Sequence, residues 1–204
     1  MTPLRGCATS RTRSTAVYCS LRTLRAAGKL RVAEQAAAGA ELSININGSP
    51  FHAGKSAERE RMLATRASDS HTAIVYVNQV GGQDELVFDG ASVVFDHEGR
   101  LLARAPQFHE ALLIVDVPVP PVYRKRLLDP RGRITESLLP TVEVSDSPVA
   151  HAGPTVGVMA DLLEPDRELY DALVLGTRDY CTKNGFDDVV IALSGGIDST
   201  IVAC

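Results

Sequence analysis

The chain has 204 residues, with 21 basic and 25 acidic side chains and a formal charge of −4. It has no basic excess for gripping a phosphate backbone, so nucleic acid is not the expected partner. Its 45% apolar content supports one ordinary core or two small ones, and no apolar run approaches the roughly 20 residues of a membrane-spanning helix.

Four cysteines, Cys7, Cys19, Cys181 and Cys204, lie too far apart for a zinc knuckle or a Cys-x-x-Cys pair. Without a secretory signal they fit a reducing cytoplasm better than a disulfide framework.

Residues 1–35 are atypical: Arg5, Arg11, Arg13, Arg22, Arg25, Lys29 and Arg31 all precede the first acidic residue, Glu34. No strand is expected there. Such a segment reads either as a transit peptide or as the product of a misplaced start or frame-shifted coding sequence.

The alternation in Leu42-Ser43-Ile44-Asn45-Ile46-Asn47 predicts a half-buried strand, ended by Gly48-Ser49-Pro50. A helix follows over 55–70, with Glu58, Arg59, Glu60 and Arg61 outward and Ala57, Leu63, Ala64 and Ala67 toward a core. The β-branched and aromatic run 72–77 predicts the next strand. Gly81-Gly82 is expected to break the chain, and Leu86–Phe88 and Ser92–Phe95 to be strands, the second closing through a turn at Gly99 into a hairpin with Leu101–Ala103. A further strand is expected over Leu112–Val117. Residues 36–117 thus form one unit, and the proline-rich stretch 118–163 reads as a linker.

The second unit, 164–204, opens with Glu164-Pro165-Asp166, suited to a helix start. Leu169, Leu173, Gly176 and Tyr180 recur at helical spacing, and Asn184-Gly185 supplies a left-handed stop. The continuously apolar Val189–Leu193 predicts a strand buried on both faces of a parallel sheet, with a helix resuming at Asp198.

Between that strand and helix lies Ser194-Gly195-Gly196-Ile197-Asp198-Ser199, where unpaired backbone N–H groups and the positive end of a helix dipole suit an anion. The glycines let the backbone approach a phosphate, and the two serines add hydroxyl donors. Asp198, itself an anion, fits Mg²⁺ or helix capping better than direct phosphate contact. A glycine-bearing turn with a capping Asp is the plain structural alternative. The histidines, His52, His71, His97, His109 and His151, show no metal-ligand spacing, and Asp84, Glu85 and Asp89 are expected to be solvated loop carboxylates.

The loop and its preceding strand resemble the Ser-Gly-Gly-x-Asp-Ser pyrophosphate loop of the N-type ATP pyrophosphatases. These enzymes split ATP between the α- and β-phosphates to adenylylate a substrate. The flank Tyr170–Tyr180 and Lys183-Asn184-Gly185-Phe186 resembles the helix that introduces this loop in NAD synthetases. Residues Asn45–Lys55 and Gly90–Val117 resemble the C-terminal half of a nitrilase-type glutaminase. Together these segments resemble the glutamine-dependent NAD synthetases, truncated at both ends.

The resemblance implies an α/β fold: a partial αββα nitrilase-like sandwich, then the start of an adenine-nucleotide α-hydrolase-like (Rossmann-like) parallel sheet. It implies NAD biosynthesis, with deamido-NAD amidated by ammonia from glutamine and ATP leaving as AMP and pyrophosphate, Mg²⁺ bridging the phosphates. The parent would be a cytoplasmic homo-oligomer with no nucleic-acid or membrane role. ATP contacts fall on Ser194, Gly195, Gly196, Ile197, Asp198 and Ser199, with Asp198 the residue toward Mg²⁺. The glutamine contacts fall on Ser49 and Lys55, whose cation can pair with a carboxylate.

The glutaminase also needs a Glu, a Lys and a Cys upstream of 45–50. Only Cys19 stands at a plausible distance, followed by Ser20-Leu21 instead of the family's Glu-Asp, and residues 1–18 hold neither Glu nor Lys. An incidental thiol is the competing reading. This piece alone is therefore expected to be inactive. The alternatives are another glutamine-fed ATP pyrophosphatase, or a non-catalytic fragment serving as a binding or assembly partner.

Overall fold

A computed structural model describes residues 17–20, 32–37, 40–119 and 155–204. The expectations for the rest of the Arg-rich opening and for most of the proline-rich stretch lie outside these residues. The elements, in order, are β1 (Val17–Ser20), α1 (Val32–Ala37), β2 (Leu42–Asn47), α2 (Lys55–Ser70), β3 (Ala73–Asn78), β4 (Val80–Gln83), β5 (Leu86–Asp89), β6 (Val93–Phe95), β7 (Leu101–Arg104), α3 (Pro165–Asn184) and α4 (Ile197–Ala203).

The alternating and β-branched runs form the centre of a five-stranded mixed sheet, ordered β1-β2-β3-β6-β7. β1, β2 and β3 are parallel, and β6 and β7 join antiparallel. Parallel neighbours need a crossover, which α2 supplies between β2 and β3. Even-numbered positions of β3, Ile74 and Tyr76, pack with Val93 and Phe95 of β6 under Leu63 and Ala67 of α2 and Val32 of α1. One face of the sheet is thereby covered; on the other, Val77 stays exposed.

The structure corrects several expectations. The opening does contain a strand: β1 pairs with β2 from Val17 opposite Leu42 to Ser20 opposite Asn45, so a ladder partner makes a strand of residues with little pattern of their own. Gly81 and Gly82 do not break the chain but lie within β4, which forms a hairpin with β5. They are glycines because helix α3 crosses there: a Cβ on Gly82 would come within 3.0 Å of the Gly176 Cα.

Leu112–Val117 forms no strand, and Leu112 and Ile114 are exposed. The edge of β7 is taken instead by residues 158–160, with Arg104 N donating to Val158 O (2.9 Å) and Ala160 N to Arg104 O (3.0 Å).

Helix α2 spans the predicted residues, but its inward stripe is Ser56, Arg59, Leu63 and Ala67, and Ala57 is exposed. Arg59 had been expected outward. In α3 the cap at Gly185 forms as expected, yet the inward face carries Glu168, Ala172 and Leu175 while Leu169, Leu173 and Tyr180 are exposed. Ala172 and Leu175 pack with Phe108 against Phe51, Val80 and Val87, so α3 lies on the β4–β5 hairpin.

Residues 189–193 form no strand. No strand among the described residues pairs with them, and Val190 is 97% exposed. An apolar run becomes a buried strand only when neighbours satisfy its backbone N–H and C=O groups.

Candidate functional site

Parallel pairing brings the C-terminal ends of β2 and β3 side by side, with Asn47 opposite Asn78. From β2 the chain turns through 48–54 into α2. Asn78 fixes this turn: Ser49 N donates to its Oδ1 (2.9 Å) and its Nδ2 to Ser49 O (3.4 Å). Phe51 N donates to Val87 O (2.7 Å). Lys55 then reaches back, its Nζ donating to Pro50 O. Ser49 and Lys55, the two sequence-predicted glutamine contacts, therefore share one turn and are both partly exposed. Burial, and then the nearby Arg59 cation, push the Lys55 ammonium below its ordinary pKa of 10.5, against the opposing pull of Asp89 and Glu58.

Beneath the turn lies a carboxylate that had been expected in solvent. Asp89 is 0% exposed. Its Oδ1 accepts from Arg59 Nη2 (2.9 Å) and Asn78 Nδ2 (3.1 Å), and its Oδ2 from Ser56 Oγ (2.9 Å) and Arg59 Nη1 (3.1 Å). The fork of the guanidinium meets both oxygens, and Arg59 also sits 5.5 Å from the centroid of the Tyr76 ring. Burying such a pair is costly, but four donors on one carboxylate satisfy its lone pairs. Asp89 thus holds Ser49 through Asn78 and the start of α2 through Ser56.

A second buried carboxylate comes from α3. Glu168 Oε1 accepts from Gln107 Nε2 (2.7 Å) and Oε2 from Gly54 N (3.2 Å). Gln107 is oriented by Leu163 N, which donates to its Oε1 (2.9 Å), and its Nε2 also lies 3.3 Å from Ser56 Oγ. Further along α3, Asp179 Oδ2 accepts from Gly82 N (2.8 Å) and Lys183 Nζ donates to Gly82 O.

The phosphate-type loop 194–199 lies beyond α3. Gly195 has φ 80°, and Gly196 is the N-cap of α4. Ser199 Oγ and Thr200 Oγ1 donate to Gly196 O (3.0 and 2.9 Å), and Ser194 Oγ lies 3.3 Å from Ser199 Oγ. Both serine hydroxyls therefore sit on one side of the glycine pair. Gly195, Gly196 and Asp198 are exposed, and Asp198 caps nothing. Cys19 lies in β1, opposite Ile44 of β2. The turn at 48–54 meets the start of α3 through Gly54 and Glu168, whereas the loop 194–199 follows ten residues after the end of that helix.

A cavity of about 210 Å³ opens beside Asn78, lined by Ser92, His109 and Glu110 among others. Sequence reasoning missed it, together with Asp89, Arg59, Asn78, Gln107 and Glu168. A signal existed for two of these. Arg59 stands four residues before Leu63 and eight before Ala67, on their stripe, and Glu168 stands four before Ala172 and seven before Leu175. A charged residue on an apolar stripe is either a packing error or a buried partner.

Residues 28–127 match the carbon-nitrogen hydrolase family and residues 169–204 the NAD synthase family. The chain is 44% identical over 177 residues to the glutamine-dependent NAD(+) synthetase of Aquifex aeolicus, covering 84% of this chain and 30% of that protein. It is 41% identical over 170 residues to that of Thermotoga maritima, covering 81% and 29%. Among solved structures, the glutamine-dependent NAD+ synthetase of Acinetobacter baumannii, in complex with adenosine diphosphate, aligns at a TM-score of 0.57 and 35% identity, over 80% of this chain and 26% of that one. The chain thus spans about 30% of the length of the curated relatives it matches.

Proposed function

We propose, from a chain that belongs to the family of glutamine-dependent NAD(+) synthetases, that its two units serve the two halves of one reaction. In the first, an amidase releases ammonia from glutamine. In the second, ATP adenylylates deamido-NAD, which ammonia converts to NAD with release of AMP; pyrophosphate leaves at the adenylylation step. The single observation that carries this reading is the co-occurrence, in this order, of a carbon-nitrogen hydrolase segment and the Ser194–Ser199 loop at an NAD synthase match.

In the first unit Ser49 and Lys55 hold glutamine. The ammonium of Lys55 pairs with the amino-acid carboxylate, exchanging its contact with Pro50 O for a charged partner. In the second, the backbone of Gly195 and Gly196 and the hydroxyls of Ser194 and Ser199 receive the phosphates of ATP, stabilising charge on the departing pyrophosphate. Asp198 offers one exposed carboxylate, and no group of three His, Cys, Asp or Glu among the described residues could hold a metal ion. Asp198 would be the residue toward Mg²⁺, which would supply charge neutralisation at the ATP phosphates. The reaction belongs in the cytoplasm.

A second reading concerns this chain by itself. Residues 189–193 have no ladder partner among the described residues, and residues 1–18 hold neither the Glu nor the Lys that accompanies an amidase nucleophile. Alone, the 204-residue chain neither hydrolyses glutamine nor makes NAD; glutamate release above a heat-killed control would contradict this.

The proposed function is tested by exchanging this chain for the corresponding segment of the Aquifex aeolicus relative and measuring NAD formation with glutamine and with ammonium side by side. Ser194→Ala and Asp198→Ala should abolish synthesis from both nitrogen sources while glutamine hydrolysis persists. Lys55→Ala should weaken only the glutamine-fed reaction. Normal ammonium-fed synthesis in the loop variants would refute the phosphate-loop assignment.

A further inference from the structure

Helix α2 begins without a cap of its own. Its N-cap is Gly54, a residue with no side chain to offer, held at φ 75°. Of the orphan N–H groups at a helix start, one usually finds a side chain within the same turn. Here the Gly54 N–H finds Glu168 Oε2, 114 residues later. The carboxylate is only 6% exposed, which is costly unless both oxygens are matched to donors.

They are matched. Leu163 N orients Gln107 so that its Nε2 faces Glu168 Oε1, and Gly54 N meets Oε2. Both partners are donors and an ionised carboxylate is acceptor-only, so glutamate fits where glutamine would set an NH₂ group against one of them. Attachment of α3 alone needs no such charge, because Ala172 and Leu175 already bury an apolar face against Phe108. Glu168 instead joins α3 to the residue immediately before Lys55.

We infer that Glu168 is a positioning residue: from the helix that leads to the phosphate-type loop, it caps the Gly54–Lys55 turn and sets where the Lys55 ammonium stands for a glutamine carboxylate. The inference rests on the functional reading above, which places glutamine at Lys55. Glu168 acts through the Gly54 backbone. The charges that act on the Lys55 ammonium are those of Arg59, Asp89 and Glu58. Formation of α3 on the β4–β5 hairpin thereby becomes a condition for a correctly placed glutamine contact.

The test uses the 204-residue chain with Glu168→Ala, Glu168→Gln and, as control, Arg167→Ala, whose guanidinium pairs with Asp171 and lies 6.0 Å from the Tyr170 ring, both on the surface of the same helix. Two signals are read by NMR: the exchange rate of the Gly54 amide and the titration of the Lys55 ammonium. Glu168→Ala should speed Gly54 exchange by about tenfold or more and move the Lys55 titration upward toward its ordinary value, because a released lysine regains water. Simple loss of a nearby negative charge would move it downward, so the direction separates positioning from charge.

Glu168→Gln, which keeps the size and one acceptor, should shift both signals in the same directions by less; it decides the matter if the alanine variant does not fold. Arg167→Ala should shift neither. Unchanged Gly54 and Lys55 signals in the folded variants would overturn the inference.

Glutamine titration of the same samples separates this from the functional reading. A Lys55 signal that ignores glutamine in the unsubstituted chain rejects that reading and the role of Glu168 in glutamine capture with it. A glutamine response that survives undiminished in Glu168→Ala overturns the inference alone.

Discussion

Two stretches of this chain look alike as text and differ as structure. Ala73–Asn78 and Val189–Leu193 are both apolar runs bounded by polar or glycine-bearing turns. The first lies between β2 and β6, hydrogen-bonded on both sides, with Ile74 fully buried. The second has no strand beside it among the described residues, and Val190 is almost fully exposed. Apolar composition supplies the drive to leave water, but a strand forms only where another backbone receives its hydrogen bonds. Helices need no such partner for their own ladder, which is why α3 and α4 form where expected on either side of the unpaired run.

The largest effect that sharpens this contrast should come from the buried pair in the ordered unit. Asp89→Ala leaves Arg59 buried and uncompensated and releases Asn78 and Ser56, so it should cost about 3–5 kcal/mol of stability, read by urea unfolding. Gly82→Ala comes next. Its Cβ would meet the α3 backbone at Gly176 and the Asp179 side chain, and a shifted helix should cost about 1–3 kcal/mol by the same measurement. By contrast Val190→Ser should stay within about 0.5 kcal/mol of the unsubstituted chain. A clear loss there would mean that 189–193 is packed after all.

The smallest effect concerns Lys55. Its folded pKa lies below the unfolded 10.5, so between those two values the unfolded state binds more protons. Stability should therefore rise with pH across that window, ending at about the unfolded value. Lys55→Met should flatten this rise, measured as unfolding midpoint against pH at the alkaline end.

Much of this molecule was legible in its text, and the limits have physical causes. Periodicity gave the span of α2 and the β6–β7 hairpin, but not the whole inward face of α2, where Ser56 and Arg59 are buried by distant polar partners. The turn before α4 was legible because its glycine pair and the helix that follows mark it locally: Gly195 takes φ 80° and Gly196 is the N-cap. Long-range polar contacts were not: nothing near Asp89 in sequence announces Arg59, and nothing near Gly54 announces Glu168. The same ambiguity hid β4, since Gly81-Gly82 can mean a break or a strand that a helix crosses closely. β1 and Val189–Leu193 erred in opposite directions for one reason, namely that the ladder partner of a strand is not written in the strand.

The sheet unit and α3 form one folded body, while the run before the phosphate-type loop stays unpaired. Hydrogen exchange across the intact 204-residue chain tests this most directly. Strong amide protection should appear over 73–78 and over the face of α3 that meets Phe108, with both regions losing it together in Asp89→Ala. Residues 189–193 should exchange at close to unprotected rates. Protection at 189–193 comparable to that of β3, or α3 amides that exchange freely while β3 remains protected, would contradict it.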